Sequence, residues 1–116
     1  MLREAANGRK KHARRVLIYG AGSAGQLLVR EILANAEWGL YPVAFLDDDV
    51  GKFKRRLMGI PICGGAHAVE DVLRRARAEE VVISTSAIEA SREQHLREVC
   101  DRLKVPVRRF RLEITE

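Results

Sequence analysis

Three glycines spaced as GxGxxG follow directly on an apolar run in Val16-Leu17-Ile18-Tyr19-Gly20-Ala21-Gly22-Ser23-Ala24-Gly25, and Gln26-Leu27-Leu28 continues into an amphipathic segment. The order is strand, tight turn, helix. Gly20 lets the chain turn sharply off the strand end, Gly22 leaves room for a pyrophosphate to approach the backbone, and Gly25 lets the helix pack close to the strand. The helix then directs its free amides and the positive end of its dipole at the same place. Gly20, Ala21, Gly22, Ser23, Ala24 and Gly25 are therefore the first candidate binding residues, for a phosphate-bearing nucleotide. The competing use is a glycine turn kept only for strand–helix packing.

A chain of 116 residues is expected to form one domain, with a single core and too little length for a two-domain dehydrogenase. No apolar run reaches the roughly 20 residues of a membrane span, and no signal-peptide pattern opens the chain. Cys63 and Cys100 show neither a CxxC nor a metal-ligand spacing, so two free thiols in a reducing compartment, and no metal site, are expected. The net charge of +5 is unevenly placed. Arg3, Arg9, Lys10, Lys11, Arg14 and Arg15 face only Glu4 at the start, whereas residues 16–116 carry fifteen basic and fifteen acidic side chains. The expected organisation is a basic leader over residues 1–14 and a nearly neutral domain over 15–116. Such a leader can lie against an anionic membrane surface or serve as a solvated linker. The balanced remainder argues against a nucleic-acid-binding face.

Strand and helix patterns alternate after the glycine turn. Ala24, Leu27, Leu28 and Ile32 recur at helical spacing, with a stop expected near Gly39. Pro42-Val43-Ala44-Phe45-Leu46 reads as a second strand, with proline tolerated at its start. A polar loop, Gly51–Arg56, and a short extended piece at Ile60-Pro61-Ile62-Cys63 follow. Val69, Val72, Leu73 and Ala76 give a second helical stripe, and Val81-Val82-Ile83-Ser84 reads as a buried parallel strand. Ser86 and Ser91 compete as caps of a third helix, whose buried face is Leu96, Val99, Cys100 and Leu103. Val105-Pro106-Val107 opens a last strand, and Phe110, Leu112 and Ile114 alternate with charged residues beyond it. The fold class is α/β, a three-layer, Rossmann-like, doubly wound parallel sheet with helices on both faces.

Asp47 stands 22 residues after Gly25, at the end of the second strand. An acidic residue there can accept hydrogen bonds from ribose hydroxyls and repel a 2′-phosphate, which favours NAD over NADP. The alternative is that Asp47, Asp48 and Asp49 form a solvated turn. Lys52, Lys54, Arg55 and Arg56 just beyond could offset a 2′-phosphate, or the 3′-phosphate of coenzyme A. Ser84, Thr85 and Ser86, at the end of the strand beside the glycine turn, can reach the same ligand or serve as ordinary caps. His12, His67 and His95 have no catalytic or metal-binding neighbours in the sequence. GxSxG, HExxH, a Walker lysine and a Tyr-x-x-x-Lys pair are all absent, so the pattern supplies binding residues and no catalytic ones.

The segments Arg15–Gly25, Val43–Asp49, Gly59-Ile60-Pro61-Ile62 and Ser91-Arg92-Glu93-Gln94 together resemble the CoA-binding-like Rossmann domain of bacterial polysaccharide biosynthesis proteins, the membrane-anchored nucleotide-sugar 4,6-dehydratase/epimerase family. The resemblance covers about residues 14–110. It implies membrane-spanning helices before the domain, on the cytoplasmic side of the inner membrane. It also implies a catalytic domain after it, acting with NAD on a UDP-sugar for capsule or lipopolysaccharide assembly. This chain then corresponds to the middle domain, not catalytic on its own, and binds a dinucleotide or a nucleotide-sugar. NAD is the favoured cofactor, ahead of NADP or coenzyme A, and a homo-oligomer stays open. Two other classes share part of the pattern: the NAD(H)-binding core of a redox-sensing repressor, and a coenzyme A-binding module of the ligase type.

Overall fold

The computed structural model describes residues 13–112, 114 and 115. Most of the basic leader, residues 1–12, lies outside them, as do Glu113 and Glu116. Arg14, assigned to the leader on charge, is the first residue of a strand.

The elements are β1 (Arg14–Tyr19), α1 (Ser23–Ala34), β2 (Leu40–Leu46), β3 (Arg56–Leu57), β4 (Ile60–Pro61), α2 (Val69–Arg75), β5 (Glu80–Ile83), α3 (Ala90–Leu103) and β6 (Val107–Arg109). Four strands form one parallel sheet in the order β2-β1-β5-β6. Its two faces are separate cores. Val16, Ile18, Phe45 and Val82 pack with Leu28, Val29 and Ile32 of α1. Leu17, Tyr19, Ala44, Leu46, Val81 and Ile83 pack with Val69, Val72 and Leu73 of α2 and Leu96, Val99 and Cys100 of α3. Covering on both faces explains why β1 and β5 read as unbroken apolar runs. The architecture is thus the three-layer, Rossmann-like α/β fold. After β1 the chain builds β2 on one side, then returns to place β5 on the other. The strand order reverses at β1, and ligand sites of such sheets lie at the carboxyl ends of the strands beside that reversal.

Several local expectations change in three dimensions. Ala24 and Leu27 of α1 are only partly buried, and the core stripe runs through Gly25, Leu28, Val29 and Ile32. The helix stops at Ala34, before Gly39, because the Asn35 side chain donates to the Glu31 carbonyl at 2.7 Å and a short 3-10 turn, Ala36–Trp38, follows. Pro42 is the third residue of β2, not its first. It is tolerated because β2 is the sheet's outer strand and its register with β1 shifts just beyond Pro42. The loop after Asp49 hides a hairpin: β3 pairs antiparallel with β4 through Met58 and Gly59, both at positive φ, the backbone of a type I′ turn. Neither Ser86 nor Ser91 caps α3. The helix begins at Ala90 with Glu89 at the N-cap and no side-chain cap bond, and the Ser91 hydroxyl meets the Glu89 carboxylate. The alternation after β6 forms no strand; Leu112 and Ile114 are exposed.

Candidate functional site

The glycines of the turn divide into two kinds. Gly20 holds φ at +112° and donates its amide to the Leu46 carbonyl at 2.7 Å. A Cβ there would stand 2.6 Å from Ser84 Oγ. A Cβ on Gly25 would stand 2.0 Å from the Gly20 carbonyl oxygen. Packing dictates both. Gly22, the N-cap of α1, has an ordinary φ of −86°, and a Cβ on it would meet nothing within 4 Å. Nothing in the described protein requires glycine there. The open space lies before the amides of Ser23, Ala24 and Gly25, which find no acceptor among the described residues, and α1 carries neither a side-chain cap nor an acid in its first turn. Such an end attracts anions.

Two consecutive carboxylates set the walls of this crevice. Asp47 Oδ2 accepts the Ala21 amide at 2.8 Å and faces Lys52 Nζ at 3.4 Å, while Oδ1 accepts the Asp49 amide at 2.9 Å. Burial by itself would raise the Asp47 pKa, but the Asp49 and Ala21 amides and the Lys52 ammonium outweigh it and hold the group below its ordinary value. Asp47 is therefore ionised at neutral pH and keeps lone-pair capacity on Oδ1. Asp48 turns the other way. Its Oδ1 accepts the Ala66 amide at 2.8 Å and its Oδ2 pairs with Arg92 at 3.3 Å, tying the β2 end to the start of the Ala66–Arg75 helical segment and to α3.

The serine cluster is mostly occupied by the protein itself. Ser84 is buried, and its hydroxyl stands 3.0 Å from both the Tyr19 and the Gly20 carbonyl oxygens. Having one proton to donate, it braces the glycine turn from β5. Thr85 Oγ1 accepts the Ala87 amide at 3.0 Å. Ser86 is exposed on the rim.

Around these residues is a crevice of about 930 Å³ at the carboxyl ends of β1, β2 and β5. Gly20, Gly22, Ser23, Ala24, Gly25, Asp47, Asp48, Ser84, Thr85 and Ser86 all line it; Ala21 is buried behind, through its bond to Asp47. Of the basic loop only Lys52 lines the crevice, and Arg56 instead donates to the Gly59 carbonyl at 2.7 Å within the hairpin. The sequence reading missed Tyr19, Arg92, Arg109 and Arg111, which also line it. Arg109 could have been found from its place at the carboxyl end of a parallel strand; it pairs with Glu93 at 2.8 Å. His67 and His95 are exposed and away from the crevice. Both cysteines are free, Cys63 exposed and Cys100 buried, and burial pushes the Cys100 thiol up to about 11. Among the described residues there is no metal-ligand cluster and no helix long and apolar enough to cross a membrane.

A glycine turn, an uncapped helix end and an ionised carboxylate at the reversal of a parallel sheet define a Rossmann-like nucleotide-binding module. The chain belongs to the CoA-binding domain family, which matches residues 1–112. It is 32% identical over 108 residues to the Bacillus subtilis (strain 168) probable polysaccharide biosynthesis protein EpsC, covering 93% of this chain and 18% of EpsC. It is 24% identical over 86 residues to the Staphylococcus aureus capsular polysaccharide biosynthesis protein CapD, covering 73% of this chain and 14% of CapD. The chain thus spans less than a fifth of either relative. Among solved structures, UDP-D-quinovosamine 4-dehydrogenase from Vibrio fischeri superposes with a TM-score of 0.66 at 30% identity, over 82% of this chain and 75% of that one. RSP, a Rex-family repressor, superposes with a TM-score of 0.69 at 16% identity, over 97% and 53%; it has also been solved with β-NADH. At that identity the likeness is one of fold.

Proposed function

We propose that the crevice binds NAD(H), with the diphosphate against Gly22 and the α1 amides and a ribose at Asp47, in a domain that is not catalytic by itself. The observation that carries this is the contrast among the glycines: packing accounts for Gly20 and Gly25, while Gly22 meets no packing constraint and opens onto the crevice, where a side chain would stand in a ligand's way. Among the described residues the Ser84 and Thr85 hydroxyls of the crevice are bonded to backbone groups and not to a base, and the RSP fold accommodates β-NADH. Calorimetric titration with NADH, NADPH and coenzyme A tests the proposal. NADH should bind best, and Gly22→Val should abolish binding while the domain still folds. Uptake of coenzyme A alone would assign the site to that ligand, and uptake of none would leave a packing turn.

We propose that the parent is a membrane-anchored nucleotide-sugar dehydratase or epimerase, a reading supported by the likeness to the polysaccharide biosynthesis proteins and to the quinovosamine dehydrogenase. The domain is its cytoplasmic nucleotide-binding part, partnered by the catalytic domain of the same polypeptide. Incubation of this chain with UDP-N-acetylglucosamine and NAD should give no 4-keto product. The basic leader rests against anionic lipid: removing residues 1–12 should weaken binding to anionic vesicles, and salt should do the same, since the Debye length falls from about 10 Å at 0.1 M to about 3 Å at 1 M.

A further inference from the structure

Tyr19 carries a buried hydroxyl with no hydrogen-bond partner among the described residues. The residue is 2% exposed, yet it lines the crevice. Its ring belongs to the core on the α2/α3 face of the sheet. The residues that carry the crevice over that face, Asp48, Ile88, Glu89 and Arg92, come from the β2 end and the start of α3. The crevice therefore has two flanks, one under the glycine turn and Asp47, the other floored by Tyr19. A buried phenol normally finds a partner, because leaving it unpaired loses the hydrogen bond that water would supply. A phenylalanine would fill the same core space without that loss.

We infer that Tyr19 is a ligand-contacting residue: its hydroxyl hydrogen-bonds the portion of the ligand that lies beyond the diphosphate from Asp47. This rests on the nucleotide reading of the crevice and narrows it to a class. The ligand has a polar, hydroxyl- or amide-bearing group on each side of its phosphates, as a dinucleotide or a nucleoside-diphosphate sugar does and a simple mononucleotide does not. Asp47 takes the near half, and Tyr19, with Arg92 at the rim, takes the far half.

Tyr19→Phe separates this from a purely structural role. Without ligand, the variant should melt at the same temperature as the wild type or higher, since it removes an unpaired hydroxyl. In calorimetry it should bind NADH roughly three- to tenfold more weakly, as loss of one hydrogen bond predicts, and bind ADP unchanged. A lower melting temperature without ligand would mean the hydroxyl already has a partner inside the protein, and would overturn the inference whatever the ligand. Equal NADH affinity in variant and wild type would overturn it too, with the nucleotide reading intact. Failure of the wild type to bind NADH, ADP or UDP-N-acetylglucosamine would remove the nucleotide reading, and this inference with it.

Discussion

The Asp47 carboxylate accepts the Ala21 amide at 2.8 Å, so the end of β2 holds the second residue of the glycine turn. The candidate ribose acceptor is thus also a brace for the phosphate site. One side chain couples the charge of the crevice to the shape of its floor.

That coupling predicts an acid transition. Asp47 ionises below its ordinary value of 3.8 in the folded protein. Glu70, bonded to Arg102 and Arg74, lies at about 2 against an ordinary 4.5. A depressed carboxylate binds fewer protons folded than unfolded, so its stabilisation is complete above the unfolded value and is lost as pH falls through the folded one. Melting temperature should be flat from about pH 7 to 5 and fall between about pH 4 and 2. Asp47→Asn should flatten part of that fall; an unchanged acid profile would mean the braces at Asp47 contribute nothing to folding.

The glycines should respond differently to alanine. Gly25→Ala drives a Cβ into the Gly20 carbonyl, and Gly20→Ala is strained at φ +112° as well as crowded by Ser84. Each should cost about 1–3 kcal/mol or more. Gly22→Ala, at an open N-cap, should cost under about 1 kcal/mol. Urea unfolding of the three variants reads the order directly, and equal losses would remove the distinction between packing glycines and a ligand glycine.

The turn, β1, β5 and the buried stripes of α2 and α3 were legible because each depends on a pattern within a few residues. What the glycines are for was not, since Gly20 and Gly25 are fixed by packing that includes Ser84, some sixty residues away. The same holds for Asp48: in sequence it repeats Asp47, but its side chain points at Ala66 and Arg92. The β3–β4 hairpin was hidden because Met58-Gly59 replaces the Asn-Gly usual in such a turn. The alternation at 110–114 misled for the opposite reason. Its local pattern is that of a strand, but β6 is the sheet's outer strand, paired only with β5 among the described residues, and β5 ends at Ile83.

Ser84 should prove to be a brace and not a contact. Ser84→Ala removes the hydroxyl that meets the Tyr19 and Gly20 carbonyl oxygens, at a cost of about 0.5–1.5 kcal/mol. NADH affinity at saturating folding conditions should stay within about twofold, a shift of under about 0.5 kcal/mol. A stable variant with a tenfold weaker affinity would return Ser84 to the ligand-contacting set.

Cofactor choice is the sharpest consequence of the Asp47–Lys52 pair, whose charged atoms stand 3.4 Å apart. Asp47→Ala removes a charged acceptor for the ribose hydroxyls, worth about 1.5–3 kcal/mol, so NADH should bind roughly ten- to a hundredfold more weakly. It also lifts the repulsion against a 2′-phosphate and releases Lys52, so NADPH should lose less or gain. Asp47→Asn is the necessary control, because an amide oxygen can still accept from Ala21 while the charge is gone. If Asn shifts the NADH-to-NADPH ratio as Ala does, the charge decides cofactor choice; if only Ala weakens binding, the brace on Ala21 does. Adding Lys52→Ala to Asp47→Ala should cancel the relative gain of NADPH. Calorimetry of these variants with both cofactors makes the comparison, and an equal loss for NADH and NADPH in every variant would mean that Asp47 never meets the ribose.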